Sequence, residues 1–104
     1  MNLDEIKALS NNEIGRALDS YLKFDERPEF HFVSYEDICT KLDEVAKVEK
    51  IIIEKGLGKA YTHNLQKLYD DEIENATYGG RDLFLATCSA RCRATAVWMT
   101  IQNI

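Results

Sequence analysis

The stretch of sequence that decides the fold runs from Ser34 to Gly56 and reads SYEDICTKLDEVAKVEKIIIEKG. Ser34, followed three residues later by Asp37, is typical of a capped helix start, with Asp37 in place of the usual Glu or Gln. Gly56 suits the position just after a helix end. Apolar residues recur between them at helical spacing, namely Tyr35, Ile38, Leu42, Val45 and Ile52. The pattern predicts one helix over 35–55, about 31 Å long, as the structural spine of the domain.

Charge and side-chain shape bear on this helix in opposite ways. Asp37 with Lys41, and Asp43 with Lys47, are acid-to-base pairs four residues apart in the order that stabilises a helix. The run 51–53 is Ile-Ile-Ile, and such β-branched residues favour strands. The last turn could therefore open a strand instead.

A second helix is predicted upstream of this stretch. Ser10 and Glu13 form a capping-box pattern, and Leu9 precedes the cap in position to pack on Ile14. The apolar residues that follow define one helical face and are Ile14, Ala17, Leu18, Tyr21 and Leu22. The helix is expected to end near 24–25, before a connector that contains Pro28.

The second half of the chain is less regular. Residues 57–77 fit a helix through Tyr61, Leu65, Leu68, Tyr69 and Ile73, although a short strand and loop is an alternative. The apolar run 83–88 lies between turn signals and suits a buried strand. Ser89 can cap a C-terminal helix, and the small residues near the start of that helix would permit close approach of another element. We therefore expect a mainly helical α+β single domain over 1–104, with a short sheet.

Size and charge exclude several classes of function. The chain has 104 residues, 45% of them hydrophobic, and a net charge of -5. The charge is uneven, because residues 1–80 carry 10 basic and 17 acidic side chains whereas 81–104 carry three Arg and one Asp. An acidic body repels phosphates, so nucleic acid is an improbable partner. No signal peptide or membrane-spanning run is present, and three cysteines, an odd number, fit a reducing cytoplasm.

Three segments together resemble a family of small phage proteins: the start of the chain, the capped helix that follows it after a short loop, and the end. The segment 9–14, Leu-Ser-Asn-Asn-Glu-Ile, resembles the opening of phage NinX-type and ABA-sandwich proteins. The segment 85–96 is similar to the closing part of that family, which leads into a hydrophobic C-terminal helix. The resemblance implies an α-β-α sandwich with no established biochemical activity and no catalytic residue to carry over. The sequence departs from the family at 60–73, which has helical spacing where the family has a strand pair.

The spacing of the cysteines bears on two kinds of site, a metal site and a phosphatase-type loop. Cys88 and Cys92 could supply two metal ligands, with His31 or His63 completing the set, but a small buried hydrophobe is the commoner role of cysteine. A phosphatase-type loop requires five residues between cysteine and arginine. Counted from Cys88, the arginine would have to be residue 94, and Arg93 lies one position short. The sequence thus predicts no catalytic residue, no metal and no cofactor.

An anion site is the best small-ligand hypothesis in the chain. Ser89, Arg91 and Arg93 lie at the start of the predicted C-terminal helix, where backbone N–H groups and guanidinium groups could hold a phosphate or carboxylate. Arg81, in the preceding turn, is a further candidate. The alternative is that Ser89 only caps the helix while the arginines pair with the acidic body.

Aromatic residues provide the other candidate surface. Tyr61, Tyr69, Tyr78 and Trp98 are either core or interface residues, because aromatics concentrate binding energy. The sequence and the resemblance together suggest a non-enzymatic phage or prophage accessory protein. It would bind a host or phage protein, or a second copy of itself, and could inhibit a bacterial defence system. The competing hypothesis is a small anionic-ligand binder, or a small enzyme, using the site around Ser89.

Overall fold

The computed structural model describes the backbone of residues 2–73 and 89–102 and the side chains of residues 2–68 and 89–102. All regular elements within these ranges are helices. The α-helices are α1 (Leu3–Lys7), α2 (Asn11–Leu22), α3 (Tyr35–Thr40), α4 (Leu42–Glu54), α5 (Gly58–Ile73) and α6 (Ala90–Ile101). Two 3-10 helices, Phe24–Glu26 and Pro28–Phe30, connect α2 to α3.

The expected α+β fold, an α-β-α sandwich with a short sheet, is wrong. The described residues form a bundle of helices, and the Ile-Ile-Ile run stays within α4. The helical alternative for residues 57–77 is confirmed as far as Ile73. In α5 the buried residues recur every three or four positions, at Tyr61, Asn64, Leu65 and Leu68, which is the spacing of a helix packed by one face. The strand predicted at 83–88 lies outside the described residues.

The long spine helix was also predicted wrongly, because it is broken at Lys41. That residue has an extended backbone, with φ -119° and ψ 120°, and separates α3 from α4. The two halves have different neighbours, since α3 packs against α2 whereas α4 packs against α5, and both contact α6. After the break Leu42 is 56% exposed, although the predicted stripe would bury it. Tertiary packing has therefore overridden local helix propensity.

One charged pair lies at the end of α3 and another lies within α4. Lys41 lies 3.5 Å from Asp37, as the spacing predicts. The predicted pairing of Lys47 with Asp43 is replaced by one with Glu44, at 3.0 Å, and Lys47 also donates to the Glu29 carbonyl oxygen. These surface contacts each stabilise the fold by about 1 kcal/mol at most.

The centre of the bundle is α6, which contacts each of the other five α-helices in the described part of the chain. Its buried residues lie on all sides and are mostly small, namely Ala90, Ala94, Thr95, Ala96, Val97, Met99 and Thr100. Small side chains let the backbones of neighbouring helices approach closely. The small residues near the start of α6 were predicted to permit this packing, and they are buried. A buried hydrogen bond from Asn64 Nδ2 to Thr100 Oγ1, 3.0 Å long, fixes α5 against this helix.

A close backbone approach joins α2 to α3 at Gly15. A Cβ atom at Gly15 would lie 2.2 Å from the carbonyl oxygen of Tyr35, far inside van der Waals contact. The crossing therefore requires glycine at this position. It also places Tyr35 beside α2, where Tyr35 helps to line a surface groove.

Helix ends follow the sequence signals. Ser10 with Glu13, and Ser34 with Asp37, form complete capping boxes, and a third box at Asn2 begins α1. Gly56, with φ 79°, ends α4 as predicted. There the N–H groups of Gly56 and Leu57 donate to the carbonyl oxygens of Ile53 and Ile52, each at 3.0 Å, in a Schellman motif.

Among the described residues, the helices are each too short or too polar to cross a bilayer.

Candidate functional site

Of the predicted anion site, Ser89, Arg91 and Arg93 are described, and each makes contacts within the fold. Ser89 is the N-cap of α6, and its Oγ accepts a hydrogen bond from the Cys92 N–H at 3.1 Å. This is the capping alternative that the sequence left open. The hydroxyl still lies at an exposed helix end, so capping by itself does not test whether an anion binds there.

Arg91 reaches across the bundle to the end of α1. Its Nη2 donates to the carbonyl oxygen of Leu9 at 2.7 Å and to those of Ile6 and Lys7 at 3.3 and 3.5 Å, while Nη1 donates to Asn11 Oδ1 at 3.0 Å. Carbonyl groups at a helix C-terminus lack partners within the helix and carry partial negative charge. The guanidinium therefore ties α6 to α1 and to the start of α2.

Arg93 lies on another side of α6 and pairs with Glu49 of α4, with Nη1 3.3 Å from Oε2. The hydroxyl of Tyr61 in α5 also donates to Glu49 Oε2. The three side chains join α4, α5 and α6 in one polar network. Since residues two apart on a helix point about 200° apart, the structure does not bring Arg91 and Arg93 together. Arg81 lies outside the described residues, and the anion site stays a prediction.

The predicted interface residues divide in a similar way. Tyr61 is 5% exposed and belongs to the network just described, so its role in the fold is structural. The side chain of Tyr69 and the whole of Tyr78 lie outside the described residues. Trp98 lines a surface groove, and among the four it is the residue whose described position favours a partner.

This α2–α6 groove has a volume of about 560 Å³. Its lining residues are Ala17, Ser20, Tyr21, Trp98, Ile101 and Gln102. Tyr21 is 48% exposed, which is high for a large aromatic ring, whereas Trp98 is half-buried. The indole Nε1 of Trp98 is shielded from solvent and finds no hydrogen-bond acceptor among the described residues. The groove thus combines polar and apolar side chains and holds two aromatic rings.

A second groove, here called the acidic groove, has a volume of about 460 Å³ and lies between α2, the connector and α3. Its lining residues are Asn12, Asp19, Phe24, Asp25, Phe30, His31, Val33, Ser34 and Tyr35. The rings of Phe24 and Phe30 stack with centroids 4.1 Å apart and form its apolar wall. Its volume falls within the range of ordinary ligand-binding clefts.

Asp19 organises the polar side of the acidic groove. Its two carboxylate oxygens accept hydrogen bonds from the Tyr35 hydroxyl at 2.6 Å and from the Phe24 N–H at 2.9 Å. The hydrogen bond and the negative charge of Asp19 raise the pKa of Tyr35, and the charge of Asp25 adds to this effect against the opposing Arg16. Two carboxylates, those of Asp19 and Asp25, thus line the acidic groove.

Cysteine and histidine give no support to a metal centre in the part of the chain that the structure describes. There, no group of three or more His, Cys, Asp or Glu side chains is close enough to hold a metal ion. His31 and His63 are exposed, Cys92 is half-buried, and Cys88 lies outside the description. Burial raises the pKa of the Cys39 thiol, which donates weakly to the Asn11 carbonyl oxygen at 3.5 Å. Cys39 is therefore a protonated core residue.

The acidic groove was not identified from the sequence, although a signal exists. Residues 19–37 contain six carboxylates and two basic side chains, a balance of -4 out of -5 for the whole chain. A charge count over short windows of the sequence would have indicated an acidic surface formed by these residues.

No family model, curated protein or solved structure matches this chain.

Proposed function

We propose that this chain is a non-enzymatic phage or prophage accessory protein that binds another protein in the bacterial cytoplasm through the α2–α6 groove. The phage origin rests on the resemblance of segments 9–14 and 85–96 to small phage proteins. The α-β-α sandwich that this resemblance implied is wrong, so only the two sequence segments support the phage origin.

The observation that carries the binding role is the pairing of Tyr21 and Trp98 at the groove. Tyr21 leaves 48% of its surface in water beside the half-buried Trp98. Tyrosine and tryptophan dominate the energetics of protein interfaces, where one such residue can supply about 2 kcal/mol or more. A partner that covers the groove would bury both rings without a change in the helices that hold them.

The groove is a better candidate than other exposed apolar residues because it is concave. Leu42 and Ile53 are 56% and 61% exposed on α4, but neither lines one of the two grooves described above. Isolated apolar side chains are common on protein surfaces and need no function. Ile53 therefore serves as a matched control for the groove residues.

The test is capture of partners from phage-infected bacteria with the tagged full chain, followed by affinity measurement with the purified partner. Tyr21→Ala should weaken binding by about tenfold, whereas Ile53→Ala should leave it within about twofold. Both variants should keep the helical circular dichroism of the parent. Equal binding by the two variants, or the absence of any captured partner, would overturn the proposal.

A narrower proposal is that the partner belongs to a bacterial defence system. Its test is phage plating on strains that carry defined defence systems, with and without the expressed chain. Restored plating in one strain, lost again with Tyr21→Ala, would support it. No restoration in any strain would contradict it while leaving the binding proposal intact.

A further inference from the structure

The break between α3 and α4 has no local cause in the sequence. The residues around it, Thr40, Lys41 and Leu42, include neither glycine nor proline. The apolar stripe runs through the break, because Ile38, Leu42 and Val45 have the spacing of one helical face. The local sequence therefore favours one continuous helix, and contacts with the rest of the fold hold that helix broken.

Backbone hydrogen bonding is incomplete at the break. The first N–H groups and the last carbonyl groups of a helix have no partners within that helix. A side-chain cap offsets this loss at the starts of α1, α2, α3 and α6. The N-cap of α4 is Lys41, whose side chain makes no cap hydrogen bond. If α3 and α4 were joined, the N–H groups of residues 42 and 43 would donate to the carbonyl oxygens of residues 38 and 39.

The break also divides the described fold into two units. The N-terminal unit consists of α1, α2, the connector and α3, and the C-terminal unit consists of α4, α5 and α6. All three α-helices of the N-terminal unit contact α6. Two side chains cross from one unit to the other, since Arg91 donates to the Leu9 carbonyl oxygen and Lys47 donates to that of Glu29. The close crossing of α2 and α3 lies wholly within the N-terminal unit.

We propose that Lys41 is a hinge through which two copies of this chain exchange their N-terminal units. In the exchanged dimer, α3 and α4 of each copy form one helix over residues 35–54, about 30 Å long. The N-terminal unit of each copy then packs on α6 of the other copy. Contacts between the units form again between the copies, so the exchange loses little packing. The joined helix adds the backbone hydrogen bonds that the broken helix lacks.

The choice of a second copy as the partner follows from the contacts between the units. Opening the monomer would separate the guanidinium of Arg91 from the carbonyl oxygens of Ile6, Lys7 and Leu9 at the end of α1. The same carbonyl groups of a second copy would replace them with unchanged geometry. This inference does not depend on the α2–α6 groove and stands or falls separately.

The test is dimerisation of the purified full chain. The protein is equilibrated at high concentration in moderate urea, transferred to buffer and analysed by size-exclusion chromatography with light scattering. The parent should yield a dimer in which the amide hydrogens of residues 42 and 43 exchange more slowly than in the monomer. A chain that stays monomeric, or a dimer with unchanged exchange at these two residues, would overturn the proposal.

Leu42→Pro is the variant that should prevent the exchange. Leu42 is the first residue of α4, where proline is tolerated, and Lys41 before it already has the extended backbone that proline favours. The monomer should therefore keep its helical circular dichroism. In the joined helix the proline would lie in the interior and would break it, so the dimer should disappear. A dimer that persists in Leu42→Pro would overturn the proposal.

A pair of glycine variants tests the hinge without proline. Lys41→Gly should lower the dimerisation constant by about tenfold, because residue 41 becomes helical only in the dimer and glycine disfavours a helix interior. Lys50→Gly is the matched control, since Lys50 is exposed and lies within α4 in both forms. It should change the constant by less than about twofold. Equal effects of the two glycine variants would overturn the proposal, as would a dimer that is lost only with Tyr21→Ala.

Discussion

Nη2 of Arg91 lies 2.7 Å from the carbonyl oxygen of Leu9, a residue 82 positions earlier in the sequence. The same guanidinium donates to two carbonyl oxygens of α1 and to the side chain of Asn11. This side chain joins the first helix to the central helix of the bundle. Its contacts explain why a residue at a helix N-terminus can be structural even where its charge indicates an anion site.

Arg91→Ala should lower the free energy of unfolding by about 2–3 kcal/mol, because several partly buried carbonyl groups lose a charged donor. Thermal and urea unfolding monitored by circular dichroism would measure the loss. Arg91→Lys should recover only part of it, since a lysine cannot reproduce the planar fork. Arg16→Ala, which removes an exposed arginine, is the control and should change stability by less than about 0.5 kcal/mol. An unchanged melting temperature for Arg91→Ala would contradict the structural role.

Gly15→Ala should be among the most destabilising alanine substitutions in the chain, at about 2–3 kcal/mol. The added Cβ would lie 2.2 Å from the Tyr35 carbonyl oxygen, and a backbone atom cannot turn away as a side chain can. Gly58→Ala is the matched control, because its Cβ would meet only ordinary contacts, the nearest at 3.6 Å. Denaturant midpoints measured side by side should separate the two variants, and equal midpoints would show that the α2–α3 crossing is looser than described.

Lys23→Gly should stabilise the protein by about 0.5–1 kcal/mol. Lys23 ends α2 in the left-handed region, with φ 56°, which costs a residue with a Cβ about 1–2 kcal/mol. Glycine would remove this cost, but its greater backbone entropy in the unfolded chain offsets part of the stabilisation. The reverse change, Gly56→Lys, at a position where φ is 79°, should destabilise the protein by a similar amount. Urea unfolding of both variants checks the pair, and changes of the same sign would refute the argument.

The sequence was informative wherever structure depends on residues three or four positions apart. Ser10, Ser34 and Ser89 cap the helices predicted for them, and Gly56 ends α4. These signals are local, because the cap hydroxyl and its N–H donor lie within one turn. The helical spacing in residues 61–73 likewise agreed with the structure.

Features that depend on distant packing could not be predicted in the same way. The break at Lys41 results from the different neighbours of α3 and α4, and no glycine or proline marks it in the sequence. The central position of α6 follows from its small residues only once five partners are known. The acidic groove combines α2, the connector and α3, so its charge was visible in the sequence but its shape was not.

The pH dependence of stability should reveal the Tyr35–Asp19 hydrogen bond. Because the pKa of Tyr35 is raised above its ordinary value of 10.0, the folded protein holds this proton more tightly than the unfolded chain does. The stabilisation is therefore fully present below pH 10 and is lost as the pH rises through the folded pKa. Tyr35→Phe should remove this part of the alkaline decline in stability, whereas Tyr21→Phe, at an exposed ring, should leave it intact. Urea unfolding between neutral and strongly alkaline pH would measure both, and parallel curves for Tyr35→Phe and the parent would show that the hydrogen bond does not stabilise the fold.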